Sequence, residues 1–404
     1  MPPFTLPLDR PHRTAGRAGG YVFVGGAGDH DATGAIRHPG DLAAQIAGAI
    51  ANIAAALDSE GCTLADVVRL KAFYTGETAD EWAVLAALAN AAGGDPPPAI
   101  TINPVPLQPW PGQLVQVQAI ASRGWRAHPQ TRAVVEDVPA ATRNRFDFPR
   151  VTAGLRAGEL LAVPGRTAAA ATDDVPADPV AQTDLIMGRM GRVLGELGAS
   201  FQDAIKMEGY YFGSTFEEWA PLAQARARNF LEPGPVATVV PCHLLQPAGT
   251  RTKVEVLGLR DHWNGFDKYV PREDRWPRQV WDWAIPLPYR QGIRMRDMIW
   301  TGGQVPYEPD ANRGRTVFVG ELLPQTLFTM RLVEDILRAF GATVSDLALL
   351  VCYFTSDGGA ATTRAFAELV TAAAGGVLPP VTLVPQPAMH DAEMLVEIWG
   401  VAQS

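Results

Sequence analysis

The chain has 404 residues, 47% hydrophobic and 19% charged, with a formal charge of −9. That length exceeds one ordinary core and calls for several domains, while the acidic balance argues against a nucleic-acid partner gripped by its phosphates. Cys62, Cys242 and Cys352 are odd in number and far apart, which suits reduced thiols better than a disulfide frame.

From the N-terminus, MPPFTLPLDRPHRT lacks the apolar stretch of a secretory signal. No apolar run reaches the roughly 18 residues that crossing a bilayer needs, so a cytoplasmic protein without a membrane partner is expected. The first strand is YVFVGGAG, followed by the turn-forming loop GDHDATG with His30. A helix starting near Asp41 carries Leu42, Ile46, Ile50, Ile53 and Leu57 on one face and stops at Gly61, a residue suited to a left-handed cap. Next come a strand ending in Phe73-Tyr74, a helix with Trp82, and a hairpin opened by Pro98 and closed by LVQVQAIA.

The same order then recurs. After a polar, Arg-rich linker around 124–147, LLAVPGRT is a strand, Met187, Met190 and Leu194 continue a helical stripe to Gly198, and a strand ends in Tyr210-Tyr211. Trp219 marks the second helix, and Pro235 opens the hairpin that closes in KVEVLGLR. A second linker, around 262–287, carries Trp263, Trp276, Trp281 and Trp283. So much aromatic surface must be covered, either by packing on the back of a neighbouring unit or by lidding a pocket. Then MIWTGGQV, a stripe of Met330, Val333 and Leu337, Gly341, Tyr353-Phe354, Pro380 and LVEIWGVA complete a third unit.

The register is gapless. Gln45, Gln182 and Gln325, Gly61, Gly198 and Gly341, and Asp66, Asp203 and Asp346 are each separated by 137 (182−45) and then 143 (325−182) positions. Three repeats follow, over 15–123, 148–261 and 288–403. Each reads β(β)-α-β-α-β-β, an α+β unit whose sheet is covered by two helices on one face.

The segment PYRQGIRMRDMIWTGGQVPYEP (288–309), the Gln…Gly…Asp helix signature of all three repeats and the closing VEI-type strand resemble the Rid (YjgF-type) reactive-intermediate deaminase family. That resemblance implies a chorismate-mutase-like fold, normally a homotrimer with sheets around a central barrel, helices outside and a cleft at each junction. Three repeats in one chain would then form a single-chain pseudo-trimer. It also implies cofactor-free hydrolysis of enamines and imines such as 2-aminoacrylate. In the family an arginine after Pro-Ala grips the substrate carboxylate, a strand glutamate holds water and a tyrosine closes the site; a guanidinium suits the first task because it meets a carboxylate with two parallel hydrogen bonds.

Carried over, the arginine position falls on Ile100, Ala237 and Thr382, so the usual clamp is missing. The glutamate position gives Gln116, Glu255 and Glu397, and the tyrosine appears only as Tyr289. The glycine turn gives Gly25-Gly26, Pro164-Gly165 and Gly302-Gly303, followed by Ala27, Arg166 and Gln304. The candidate catalytic residues are therefore Glu397, Tyr289 and Glu255. The candidate substrate-binding residues are Arg166, Gly302, Gly303, Gln304 and Thr382. For each the plainer reading is structural: a carboxylate satisfied at a repeat junction, a buried phenol, a surface salt bridge. Cys242 and His243, adjacent in a strand, point to opposite faces and form no dyad. No HExxH or CxxC spacing supports a metal site, and no cofactor is implied.

The leading expectation is a small-molecule enzyme of hydrolytic or lyase type acting on an imine, enamine or related C–N substrate between repeats, diverged from 2-aminoacrylate deamination. The expected partner is a small-molecule substrate, and the expected assembly a monomeric pseudo-trimer with dimerisation left open. One rival is a non-catalytic Rid-like protein that binds a metabolite or partner. Another is a ring-opening amidohydrolase, but Lys71, Lys206, Lys253 and Lys268 have no serines at matching positions.

Overall fold

The computed structural model describes residues 4–76, 80–136, 150–172, 174–309 and 315–404. The start assigned to the second repeat, 148, and the end of the first linker lie outside the described residues. Three α+β units appear in succession. The first sheet has β1 (Ala15–Ala18), β2 (Tyr21–Ala27), β3 (Val67–Tyr74), β4 (Ala99–Pro104) and β5 (Val115–Ala121), in the order β1-β2-β5-β3-β4. The second has β6 (Arg132–Val135), β7 (Thr152–Ala157), β8 (Leu160–Thr167), β9 (Ala204–Phe212), β10 (Val236–Cys242) and β11 (Thr252–Trp263), ordered β10-β9-β11-β8-β7-β6, with β12 (Phe266–Tyr269) on β11. The third runs β13-β14-β15-β18-β16-β17, from β13 (Arg272–Arg275), β14 (Gly292–Met295), β15 (Met298–Thr301), β16 (Leu347–Thr355), β17 (Val381–Gln386) and β18 (Val396–Gln403). Both linkers thus donate edge strands, β6 and β13.

Each sheet carries two helices: α1 (Leu42–Ser59) and α2 (Glu81–Ala92), α3 (Pro179–Glu196) and α4 (Phe216–Ala227), α5 (Leu322–Ala339) and α6 (Ala360–Ala373). By length and composition alone α1, with a mean hydropathy of 1.3, could cross a bilayer, contrary to the sequence expectation. Its Ile46, Ile50, Ile53 and Leu57 are buried, and the helix packs on β2 and β5.

The three landmarks of the repeat have physical causes. Gln45, Gln182 and Gln325 are fully buried on the first helix of each unit. Each amide donates to two loop carbonyls and accepts from the backbone at the start of the closing strand: Leu114, Arg251 or Leu395. Asp66, Asp203 and Asp346 accept from the backbone of Thr63, Ser200 and Thr343, closing a capping box. Gly61, Gly198 and Gly341 have φ of +65°, +74° and +86°, the left-handed turn after a helix.

The units contact one another cyclically: β4 packs on β7 and β8, β10 on β15, and β17 on β2. The glycine turn of one unit abuts the parallel edge strand of the one before it. Gly165 N–H donates to Thr101 Oγ1, Gly303 N–H to the Ala237 carbonyl, and Gly25 lies against Val381. The sheets remain three separate sheets, and among the described residues no closed barrel forms. This corrects the barrel implied by the resemblance: neighbouring edges meet through side-chain packing and isolated bonds, not a continuous ladder.

Candidate functional site

The three junctions are chemically unequal. Between the first and second units, Glu255 is 3% exposed and accepts from Arg69 Nη2 at 2.9 and 3.0 Å, from Lys71, and from Thr101 Oγ1 at 2.7 Å. Glu208 joins this cluster through Lys71 at 2.8 Å. Burial alone would raise the Glu255 carboxyl, but Arg69, Lys71 and the Thr101 hydroxyl hold it well below the usual carboxylate range. Arg166 lies at the same junction, bound to Glu136 at 2.8 Å and to the Ile100 carbonyl at 2.8 Å. Arg166 and Glu255 are therefore committed to protein partners. At the third-to-first junction Thr382 Oγ1 accepts from Gln118 at 2.6 Å, and Gln116 donates to the Leu383 carbonyl at 2.6 Å.

The second-to-third junction opens into a cavity of about 760 Å³, its mouth included. Helix α4 presents Phe216, Trp219, Ala223 and Arg226 to it, one face at helical spacing. Thr215 caps that helix through a box with Glu218. The second linker supplies Trp281, Asp282, Trp283 and Ala284, so Trp281 and Trp283 follow the pocket-covering reading, while Trp276 packs on the core. Trp263, by contrast, is 66% exposed beside the β11–β12 turn. The third unit contributes Tyr289, Gly303, Val305, Tyr307, His390, Asp391, Met394 and Glu397.

Glu397 comes from β18, paired opposite Tyr353. The strand register corrects the sequence expectation: Glu397 stands where Lys253 and Gln116 stand in the other units, and Trp399 takes the place of Glu255, so Glu397 is free of the cationic clamp. Lys206, in register with Arg69 (69+137), instead donates to Thr238 Oγ1 at 2.6 Å and lies 4.0 Å from the Trp399 ring centre. Burial lowers this amine to about 7, against the pull of Glu208 and Glu397. Glu397 Oε2 lies 2.9 Å from His390 Nε2, and His390 Nδ1 lies 3.0 Å from the Tyr211 hydroxyl. A Cβ on Gly303 would overlap Glu397 Oε1 and come within 2.8 Å of Thr238 Oγ1, so only glycine leaves the carboxylate its place.

Opposite in charge is Arg226, which is fully buried. None of its three nitrogens completes a hydrogen bond, and no carboxylate pairs with it among the described residues. Burial lowers its pKa, partly offset by the neighbouring Tyr289 phenol. The Tyr289 hydroxyl also lacks a regular partner, and burial pushes it up to about 12 although Arg226 opposes this. The last helical turn gives the cation some support from the helix dipole. Most of the cost of burying an unpaired charge is left for a ligand to offset.

Of the sequence candidates, the fold brings Glu397, Tyr289 and Gly303 together. Gly302 and Gln304 frame the turn, with the Gln304 amide donating to Gln291 Oε1 at 2.7 Å. Glu255, Arg166 and Thr382 lie at the other junctions. Sequence reasoning missed Arg226, His390 and Tyr211. Only Arg226 left a signal: it lies four residues after the buried Leu222, on the buried stripe of α4, where its first-repeat counterpart is Ala89 (226−137).

The sequence model described as endoribonuclease L-PSP matches residues 9–123 and 284–404, more than half of the chain. The chain belongs to this family, that of the YjgF/Rid proteins. No curated protein sequence matches it. Among solved structures, a chorismatase is 14% identical, with a TM-score of 0.53, over 83% of this chain and 93% of its own. That likeness concerns the fold. A putative endoribonuclease L-PSP from Entamoeba histolytica is 16% identical (TM-score 0.27, 33% of this chain and 100% of its own). The YjgF gene product of E. coli is 21% identical (TM-score 0.27, 32% and 98%). The three junctions of this chain are not equivalent, and the second-to-third holds the aromatic cavity.

Proposed function

We propose that this Rid-family chain is a small-molecule enzyme of hydrolytic or lyase type, acting on a C–N or C–O bond in the cavity between its second and third repeats. The observation that carries the reading is the Glu397–His390 pair lining one cavity with an unpartnered buried Arg226. A carboxylate coupled to an imidazole can take a proton from water and return it to a leaving group. A fixed guanidinium grips a carboxylate, the task that Ile100, Ala237 and Thr382 cannot perform. For an imine substrate, water adds to the carbon as Glu397 takes its proton. The nitrogen receives that proton, giving a carbinolamine; Glu397 then passes the hydroxyl proton to the nitrogen as the C–N bond breaks, and amine and carbonyl products leave. Tyr289, beside Arg226, positions the anion. The chorismatase neighbour, named for a hydrolytic lyase, fits the same coarse class.

In this reading the repeats 15–123, 148–261 and 288–403 take the places of three subunits, and the chain acts as a one-chain pseudo-trimer in the cytoplasm, without cofactor, nucleic acid or membrane. The rival of a silent binding protein is disfavoured by the titratable cluster kept at one junction. A thermal-shift screen of metabolites against wild type and Glu397→Gln tests the proposal: ligands should stabilise both, and only wild type should turn them over. A coupled assay that generates 2-aminoacrylate should show slow turnover, since that three-carbon substrate fills little of the cavity. Full activity of Glu397→Gln would overturn the assignment.

A further inference from the structure

We infer that the cavity selects a monocarboxylate carrying a planar ring, its single carboxylate seated deep on Arg226 and its ring against the tryptophans of α4 and the second linker. The inference rests on reading this cavity as the substrate site, and narrows that reading to a ligand class.

Three observations point the same way. The first is charge at depth. Arg226 is fully buried and lines the cavity, pairs with no carboxylate among the described residues, and has only the adjacent Tyr289 hydroxyl as a polar side-chain neighbour, short of regular hydrogen-bond geometry. Glu255 shows how this protein treats a buried charge that belongs to its architecture: four contacts from Arg69, Lys71 and Thr101 satisfy it. Arg226 has received no such partner, and a planar fork of donors is matched by a carboxylate. The neighbouring phenol adds one more donor to the same oxygen pair.

The second is shape and polarity. Trp219 and Trp283 lie nearly parallel, at 17° with centroids 6.4 Å apart, and Trp281 meets Trp283 edge-on at 83°. Trp283 is fixed by donating its indole N–H to the Tyr289 carbonyl at 3.3 Å. Rigid aromatic faces of this kind bury flat unsaturated groups better than flexible aliphatic ones. The cavity is open on one side, so a flat ring can enter between these faces.

The third is charge at the rim. Asp282 and Asp391 line the cavity and are both solvent-exposed. Each is fixed in a turn, Asp282 by the Trp283 N–H at 2.6 Å and Asp391 by those of Glu393 and Met394 at 2.8 Å. A ligand with a second carboxylate at its outer end would meet these two anions. The cavity therefore discriminates against dicarboxylates.

Binding, not turnover, tests this. Calorimetric titration of the full chain would compare 3-phenylpropionate with 3-phenylpropan-1-ol, pyruvate and 4-(2-carboxyethyl)benzoate. The acid should bind about tenfold or more tighter than the alcohol, as a charged hydrogen-bond pair implies. It should also bind tighter than pyruvate, which lacks the ring, and 4-(2-carboxyethyl)benzoate, which carries a second charge at the far end of the ring. Arg226→Met should erase the preference for acid over alcohol, and Trp283→Leu should weaken 3-phenylpropionate severalfold. Glu397→Gln should retain the whole ranking, so a loss of turnover with intact ranking tests the reaction separately. Equal affinities of acid and alcohol for wild type, or tightest binding of 4-(2-carboxyethyl)benzoate, would overturn the inference whether or not Arg226→Met folds.

Discussion

His390 Nε2 lies 2.9 Å from Glu397 Oε2, and the other ring nitrogen reaches the Tyr211 hydroxyl of the preceding repeat at 3.0 Å. The imidazole thus ties a strand carboxylate to a phenol across the junction. Its ring stacks on that of Tyr211 at 21°. Replacing Glu397 by Gln keeps size and hydrogen-bonding capacity but removes the charge and the ability to take a proton. Turnover should fall by about 10²–10⁴-fold with the melting temperature nearly unchanged. His390→Phe, which keeps the stack and loses the proton path, should lower kcat by about 10-fold or more. Steady-state kinetics beside thermal melts measures both, and unchanged kcat in either variant counts against the pair.

Glu255 should behave in the opposite way. Removing its charge leaves Arg69 and Lys71 underpaired in a fully buried cluster, a change that typically destabilises by about 3–5 kcal/mol. Glu255→Gln should therefore shift the urea midpoint strongly, while the folded fraction retains its kcat. A variant of normal stability and lost activity would move the chemistry to the first junction.

His30 gives a pH signature. It is fully buried, neither ring nitrogen has a partner, and burial lowers its pKa to about 4 even though Asp29 and Asp31 pull it upward. Arg37 and His12 oppose protonation as well. Between pH 6.5 and about 4 the unfolded chain takes up a proton that the folded chain refuses, so stability falls as pH falls through this window. The loss approaches roughly 3 kcal/mol if no other group compensates. The melting temperature of wild type should drop relative to that of His30→Leu as pH falls through this window. Parallel curves would show that His30 is not the source.

The cyclic contacts between units predict an assembly without partner chains in the threefold role. Multi-angle light scattering should give a monomer or dimer of 43.3 kDa chains. An obligate trimer of chains would contradict the one-chain arrangement.

The sequence by itself determined the repeat and the unit fold, because the residues that mark them answer to local rules. Gly61, Gly198 and Gly341 need a positive φ, Asp66, Asp203 and Asp346 close a capping box a few residues away, and the helical stripes follow the period of the helix. The buried glutamines, Gln45, Gln182 and Gln325, repeated just as faithfully, yet their long-range bonds to the closing strand became visible only in the fold. What a buried side chain faces across a junction was decided by tertiary structure alone. Glu255 and Glu397 look alike in sequence but sit two positions apart on equivalent strands, so the neighbouring sheet offers Arg69 and Lys71 to the first, whereas the second meets His390 from its own repeat. Arg226 likewise follows the helix period onto a buried face, but the sequence does not say that the third repeat and the tryptophan linker leave it without a partner. Periodicity fixes which face is inside; only the packing of one repeat on the next fixes which charges meet there.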